Sequence, residues 1–391
     1  MFKKFGLLLA CICTICGARS QQIQASLDSS AYAAVITCGA GDDFYTTFGH
    51  SAIRICDSVL GLDLVYNYGT FDFDQPHFYW TFVCGNLDYC LSRTSYSNFL
   101  SEYVFEGREV VQQRLRLSNQ ELNNLFVLLE TNYLPMYRYY RYDFFSDNCA
   151  TRVRDIVSSS LSHRTLFVES DVENGMSYRQ LLTAATGAPL AWWQFGIDLL
   201  LGVRCDHRCS NMEYMFSPVE LMTQLDTTCM QEAGIPLADA PELLLSNQRT
   251  PQGRCMSPTL CFWLLFGVVF LLTIMERAKQ WRMRWLDITL FVIVSLLSVA
   301  LLFMWLGTSH YCTKWNLNIL WASPLFIYFA IRLQKSKGWV VFCQLALLLV
   351  SVVMAIVGFP QQLNMSVIPI SLMLAVRLVS GLLYNKDMRQ R

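Results

Sequence analysis

A cysteine at the expected mouth of a helix is the strongest chemical signal in the chain. In YDFFSDNCATRVRDIVSSSL, residues 142–161, Asp147 and Asn148 are N-cap types. Val153, Ile156, Val157 and Leu161 recur at helical spacing, so a helix is expected to begin at about Cys149. The helix dipole and the unpaired first-turn N–H groups favour thiolate there and can hold an oxyanion that forms beside the sulfur. Nucleophile and oxyanion donors for acyl transfer would then share one turn. An isolated cysteine is more often a buried or disulfide-bonded residue, so this reading needs a base.

Five histidines are present, and His50 is the one set between a glycine and a strand pattern. His77, His163, His207 and His310 fall in loops or polar segments. In GHSAIRIC, Ile53 and Ile55 face one way, while His50, Ala52, Arg54 and Cys56 face the other. DSVLG reads as a turn and LDLVYNYGTFDF as the returning strand. A hairpin symmetric about Val59 sets His50 opposite Tyr68 with Asn67 beside it, so Asn67, Tyr66 and Tyr68 are candidates to orient the imidazole. Arg54 is a candidate substrate contact, or the partner of Asp57 or another acid, and Asn148 adjoins the nucleophile. CDHRC, from Cys205 to Cys209, lacks an obvious fourth metal ligand; disulfides are expected there, and neither metal nor cofactor is assigned.

The elements around these residues can be sketched from pattern. Residues 31–98 read mostly as strand, and VVQQRLRL as a further one. Ser118 and Glu121 form a capping box for a helix with a buried stripe of Leu122, Leu125, Phe126 and Leu129. The aromatics of HFYWTFVCGNLDYCL pack a core or line an acyl-chain groove. AWWQFGIDLLLG, with Trp192 and Trp193, is expected to cap the core rather than rest on a bilayer.

With 53% hydrophobic residues and no net charge in 391 residues, the chain is too apolar for one soluble globule. Mean hydropathy is +0.32. Lys and Arg form no stripe, which excludes nucleic acid as a partner. Residues 1–19 have a signal-peptide layout, Lys3 and Lys4 before a short apolar run and then Gly17 and Ala18; a lipobox at Cys11 or Cys16 fits poorly. Residues 20–256 are the expected exported catalytic domain, with nine cysteines (38, 56, 84, 90, 149, 205, 209, 229 and 255), read as four disulfides and a free Cys149. Residues 257–391 are the expected membrane domain. Apolar runs at about 259–275, 286–306, 316–331, 339–357 and 363–383 give five spans. Positive charge after the first, third and fifth places the C-terminus in the cytoplasm and the soluble domain outside. Arg377 lies near a span end, where it could snorkel.

Together FGHSAIRICD, VYNYGTFDF and YDFFSDNCATR resemble the Lnb-type lipoprotein N-acyltransferase family over about residues 30–225. The resemblance implies an α+β fold of circularly permuted papain-like (NlpC/P60-like) type followed by an all-α five-helix transmembrane region. It implies Cys149 as nucleophile and His50 as general base and acid, with a thioester formed from a glycerolipid ester, expected on the lipoprotein's own diacylglyceryl cysteine as in an intramolecular transacylase, and passed to the N-terminal cysteine amine of the bacterial lipoprotein. Diacylated lipoproteins, membrane glycerophospholipid or both are the implied partners at the inner membrane. A cell-wall cysteine peptidase or amidase and a non-catalytic membrane receptor or assembly factor are the competing readings.

Overall fold

The computed structural model describes residues 26–42, 46–161, 172, 175–186, 190–227, 236–249, 253, 255–332 and 336–390. The expected signal segment, His163 and Cys229 lie outside the described residues.

Strands β1 (Tyr32–Cys38), β2 (His50–Asp57), β3 (Leu62–Thr70), β4 (Asp88–Ser95), β5 (Val110–Arg114), β6 (Tyr139–Arg141) and β7 (Glu242–Leu245) form one sheet in the order β6-β4-β3-β2-β1-β5-β7. All neighbours are antiparallel. The central strands alternate between two apolar faces. Val35, Ile53, Ile55, Tyr66 and Tyr68 pack against helices α3 (Asn119–Tyr133) and α4 (Cys149–Ser160). Ile36, Cys38, Ala52 and Val65 pack against Phe99 and Tyr103 of α2 (Tyr96–Glu106). A short helix, α1 (Phe78–Val83), lies in the β3–β4 loop. The capping box of Ser118 and Glu121 opens α3.

The β2–β3 hairpin pairs Ile53 with Tyr66 and closes at Asp57↔Leu62, one residue from the register symmetric about Val59. The turn chemistry explains the shift. Asp57 Oδ1 accepts from Val59 N–H and Leu60 N–H, and Gly61 at φ 65° supplies the left-handed residue, which makes a four-residue loop from Ser58 to Gly61.

After α4 come α5 (Tyr178–Thr186), α6 (Ala191–Leu200), α7 (Asn211–Tyr214) and α8 (Pro218–Thr227), then the edge strand β7, and then α9 (Pro258–Lys279), α10 (Arg284–Leu306), α11 (Leu325–Arg332), α12 (Gly338–Val357) and α13 (Val367–Gln390). Among the described residues four helices, α9, α10, α12 and α13, are long and apolar enough to cross a membrane. The expected span at 316–331 is not one continuous helix. It is a 3₁₀ turn, Leu317–Leu320, a break at Ser323 and Pro324, and the eight-residue α11. Pro324 cannot donate to a helical ladder, and Asn316 Oδ1 caps the turn through Asn318 N–H. Arg377 does not snorkel: it is fully buried and pairs with Glu276 at 2.6 Å and Asp287 at 2.7 Å.

Helix α6 packs on the membrane helices instead of capping the sheet. Phe195 joins Phe291, Trp321 and Val367, while Trp192 donates to Met256 O and meets Phe262. The expected disulfides are absent among the described residues, where every cysteine is a free thiol. Strand positions hold some of them apart: Cys38 sits in the core under α2, and Cys56 and Cys90 lie on different strands.

The two halves meet on buried polar bonds. On the exported side Arg179, 1% exposed, orders the segment that makes the contact, reaching Asp206 at 2.7 Å, Asp198 at 3.2 Å and the carbonyls of Leu201 and Gly202. Asn316, Asn318 and Gln361 of the membrane part donate to the backbone carbonyls of Asp198, Leu199, Leu200 and Leu201. A Cβ on Gly202 would fall 1.9 Å from Lys314 O, so only glycine permits this approach. Replacing Arg179 by Met leaves two buried carboxylates without their cation, and a loss of about 3–5 kcal/mol is expected. Thermal unfolding in detergent measures it; a melting temperature equal to the parent's contradicts this account of the junction.

Candidate active site

Asn148 fixes where α4 starts. Its Oδ1 accepts from Ala150 N–H and Thr151 N–H, both at 2.9 Å, and its Nδ2 donates to the carbonyls of Phe144 and Phe216 at 2.8 Å. With both ends of its amide engaged, Asn148 is a cap, and Cys149 is the first helical residue.

The Cys149 sulfur sits beside the backbone N–H groups of Ser51, Ala150 and Cys149 itself, which favour its charged form. Two of those donors belong to the helix mouth, and the third belongs to the residue that follows His50. Burial pushes the thiol above its ordinary range, and the three N–H groups offset this only in part. Desolvation therefore outweighs the helix terminus, and the resting sulfur is a thiol.

His50 opens β2 in register with Cys38. Its Nε2 lies 3.2 Å from Asn67 Oδ1. A carbonyl oxygen only accepts, so Nε2 carries the proton and Nδ1 keeps the lone pair. Burial, opposed by the Asn67 bond and reinforced by the Arg108 charge, pulls the imidazole down to about 4. The ring is neutral at neutral pH.

Strand alternation sets His50 on the face of Ala52, and Ser51 on the face of Ile53, where α4 lies. The β2–β3 ladder runs from Asp57↔Leu62 to Ile53↔Tyr66 and stops before His50. In the opening beyond it, Ser51 N–H meets the sulfur. Gly69, at φ 86°, closes the other side: a Cβ there would lie 3.6 Å from Cys149 Cβ and 3.2 Å from the Tyr142 ring.

Other candidates are committed elsewhere. Arg54 makes a bidentate pair with Asp63 at 2.7 and 2.8 Å, donates to Gln112, and lies 3.4 Å over the Tyr96 ring. Asp57, a partner expected from sequence, instead holds Asp28 N–H and its own turn. Tyr68 points under α3, where its hydroxyl accepts from Asn132 at 2.9 Å. Tyr66 donates to Glu130 at 2.5 Å. The sequence reading missed the Ser51 N–H, which leaves no side-chain signature. It also missed Gly69, although a glycine within a strand pattern is a signal for a bulge or a close approach.

Among the described residues, metal-ligand atoms converge at His207, Cys209 and Glu213, within 4.8 Å of one another. His207 Nε2 meets Glu213 Oε1 at 2.9 Å while Glu213 Oε2 holds Ser210 N–H, so ion pair and helix cap already account for the grouping.

The rate of Cys149 alkylation by iodoacetamide is expected to follow the thiolate fraction. Because the thiol lies above its ordinary range and the imidazole near 4, the rate should climb about tenfold per pH unit from 6 to 8.5 without levelling. A plateau already reached below pH 6 would indicate a preformed thiolate–imidazolium pair.

Residues 19–184 match the Lnb N-terminal periplasmic domain, and residues 250–388 match the Lnb transmembrane domain. No curated protein and no solved structure matches the chain. A periplasmic sheet-and-helix domain joined to membrane helices makes this an inner-membrane protein, and its family works in lipoprotein biogenesis. The two matches follow one another along most of the sequence: the chain belongs to the Lnb-type lipoprotein N-acyltransferase family.

Proposed function

We propose that the chain is a lipoprotein N-acyltransferase with Cys149 as nucleophile, His50 as base and acid, and Asn67 as the residue that positions the imidazole. The observation that carries this reading is the closeness of Ser51 N–H, the residue after His50, to the Cys149 sulfur, beside Gly69 of the strand that carries Asn67. The transfer requires the His50 imidazole, which in this structure is held by Asn67, to come within reach of the Cys149 sulfur. His50 Nδ1 takes the thiol proton as the sulfur attacks an ester carbonyl of a glycerolipid. N–H groups at the helix mouth hold the oxyanion. Collapse breaks the acyl C–O bond, His50 returns the proton to the leaving alkoxide, and a thioester remains on Cys149. The amine of the lipoprotein's N-terminal cysteine then attacks the thioester. His50 accepts the amine proton, the C–S bond breaks, the amide is released, and the thiolate is reprotonated.

A neutral dyad suits this chemistry. Its proton moves only when the substrate has displaced water and the attack is under way, so the sulfur is not left as an exposed anion in an oxidising compartment. The order of elements, histidine strand before cysteine helix, fits a circularly permuted papain-like domain, and the Cys-His-Asn set is that of papain-like proteases. We place the exported domain at residues 20–256, the membrane domain at 257–391, the C-terminus in the cytoplasm, and diacylated lipoproteins and glycerophospholipid as substrates.

In a host without other N-acylating enzymes, mass spectrometry of lipoprotein N-termini should show N-acylation with the parent chain and free amines with Cys149→Ala. His50→Ala should lower the rate about 10²–10⁴-fold. Asn67→Ala should have a smaller effect, because it disturbs orientation and not the base itself. Normal N-acylation in the Cys149→Ala strain, or cut cell-wall peptides as the product instead, rejects the assignment.

A further inference from the structure

The β3–β4 loop exposes an apolar surface that the steps above do not use. Tyr79 is 79% exposed and Trp80 61%, and Phe73, Phe82 and Val83 are also open. A soluble domain rarely leaves such rings together in water. The loop is anchored to the membrane part. Ser309 N–H donates to Cys84 O at 2.8 Å, Ser309 Oγ to Asn86 Oδ1 at 3.0 Å, and His310 Nε2 to Val83 O at 3.1 Å. Trp80 packs on Phe303 of α10 at 5.7 Å. Gly85, at φ 70°, admits the His310 ring, which would lie 3.1 Å from any Cβ placed there. The exposed rings therefore stand at the periplasmic end of a membrane-spanning helix, the depth at which Trp and Tyr are favoured.

Inward, the same loop leads to the sulfur. Phe78 touches Phe71 at 5.8 Å, Phe71 touches Tyr89 at 5.4 Å, and Tyr89 stacks on Tyr142 at 4.4 Å. Tyr142 and Cys149 both border Gly69. One run of rings thus extends from the membrane surface to the nucleophile.

We propose that this loop is the lipid-entry edge of the site: the exposed rings of α1 sit in the outer leaflet, and the acyl chain of a membrane glycerolipid lies along the aromatic run with its ester toward Cys149. The inference rests on the acyltransferase reading and adds where the acyl donor binds. Continuity with α10 selects lipid as the occupant.

The test uses the full chain in vesicles containing a glycerophospholipid with a diazirine in its acyl chain. Photocrosslinks are expected in residues 71–89 as well as in the membrane helices, and they should persist in Cys149→Ala. A double Tyr79→Ser, Trp80→Ser variant should lose the loop crosslinks and N-acylate about tenfold or more slowly. Its Cys149 should react with iodoacetamide at the parent rate, which a general loss of folding would not allow. Crosslinks confined to the membrane helices, or an unchanged N-acylation rate in the double variant, overturn the inference even where Cys149 is essential. Normal N-acylation in Cys149→Ala alongside persistent loop crosslinks would instead reject the catalytic reading and leave the lipid surface standing.

Discussion

The Asn148 cap is the constraint on which the site depends. A helix begins where its first N–H groups find a partner, and here one buried amide satisfies Ala150 and Thr151 while tying the preceding turn to Phe144 and the distant Phe216. That sets Cys149 at the first helical position with its sulfur on the open N–H groups. The helix axis then determines the rest, since Val153, Ile156 and Val157 must bury against Ile53, Ile55 and Tyr66 of the sheet. With the helix seated on those residues, its mouth falls at the end of β2, and Ser51 N–H completes the sulfur's surroundings. Shifting the cap by one residue would rotate the sulfur by about 100° and break every one of these bonds.

The buried arginines among the described residues are each held by a carboxylate. Arg54 with Asp63 stiffens the hairpin, Arg179 with Asp198 and Asp206 sits at the junction, and Arg377 with Glu276 and Asp287 ties α9, α10 and α13 together. An isolated ion in those places would be expensive, so each pair selects one arrangement of its elements more than it adds net stability. The junction matters most for function. If α6 and its carbonyls are gripped by Asn316, Asn318 and Gln361, the periplasmic domain holds a fixed height over the bilayer. The proposed reaction, which draws its substrate from a membrane, would need that.

What could be read from the residues was whatever short-range periodicity and capping determine. The start of α4, the box at Ser118 and Glu121, the β2–β3 hairpin, and Asn67 as a candidate neighbour of His50 all follow from spacing within a few residues. Features that depend on distant partners were out of reach. The hairpin register slipped by one because Asp57 and Gly61 build a four-residue turn, which the alternation of apolar residues does not reveal. Arg54 looked available because Asp63, Gln112 and Tyr96 are brought to it by pairing and packing. Trp192 and Trp193 looked like core because nothing local tells a helix whether sheet or membrane will cover it. Cysteine count suggested disulfides, but only three-dimensional separation decides whether two sulfurs can meet.

The central claim is that an acyl group passes through the Cys149 sulfur by way of the His50 imidazole. Intact-mass analysis of the full chain, incubated with glycerolipid and no acceptor amine, tests it most directly. The account predicts one acyl adduct, mapped to Cys149, released by neutral hydroxylamine as a thioester would be, and lost in His50→Ala. An adduct on another residue, or the same adduct forming at full rate without His50, would contradict it.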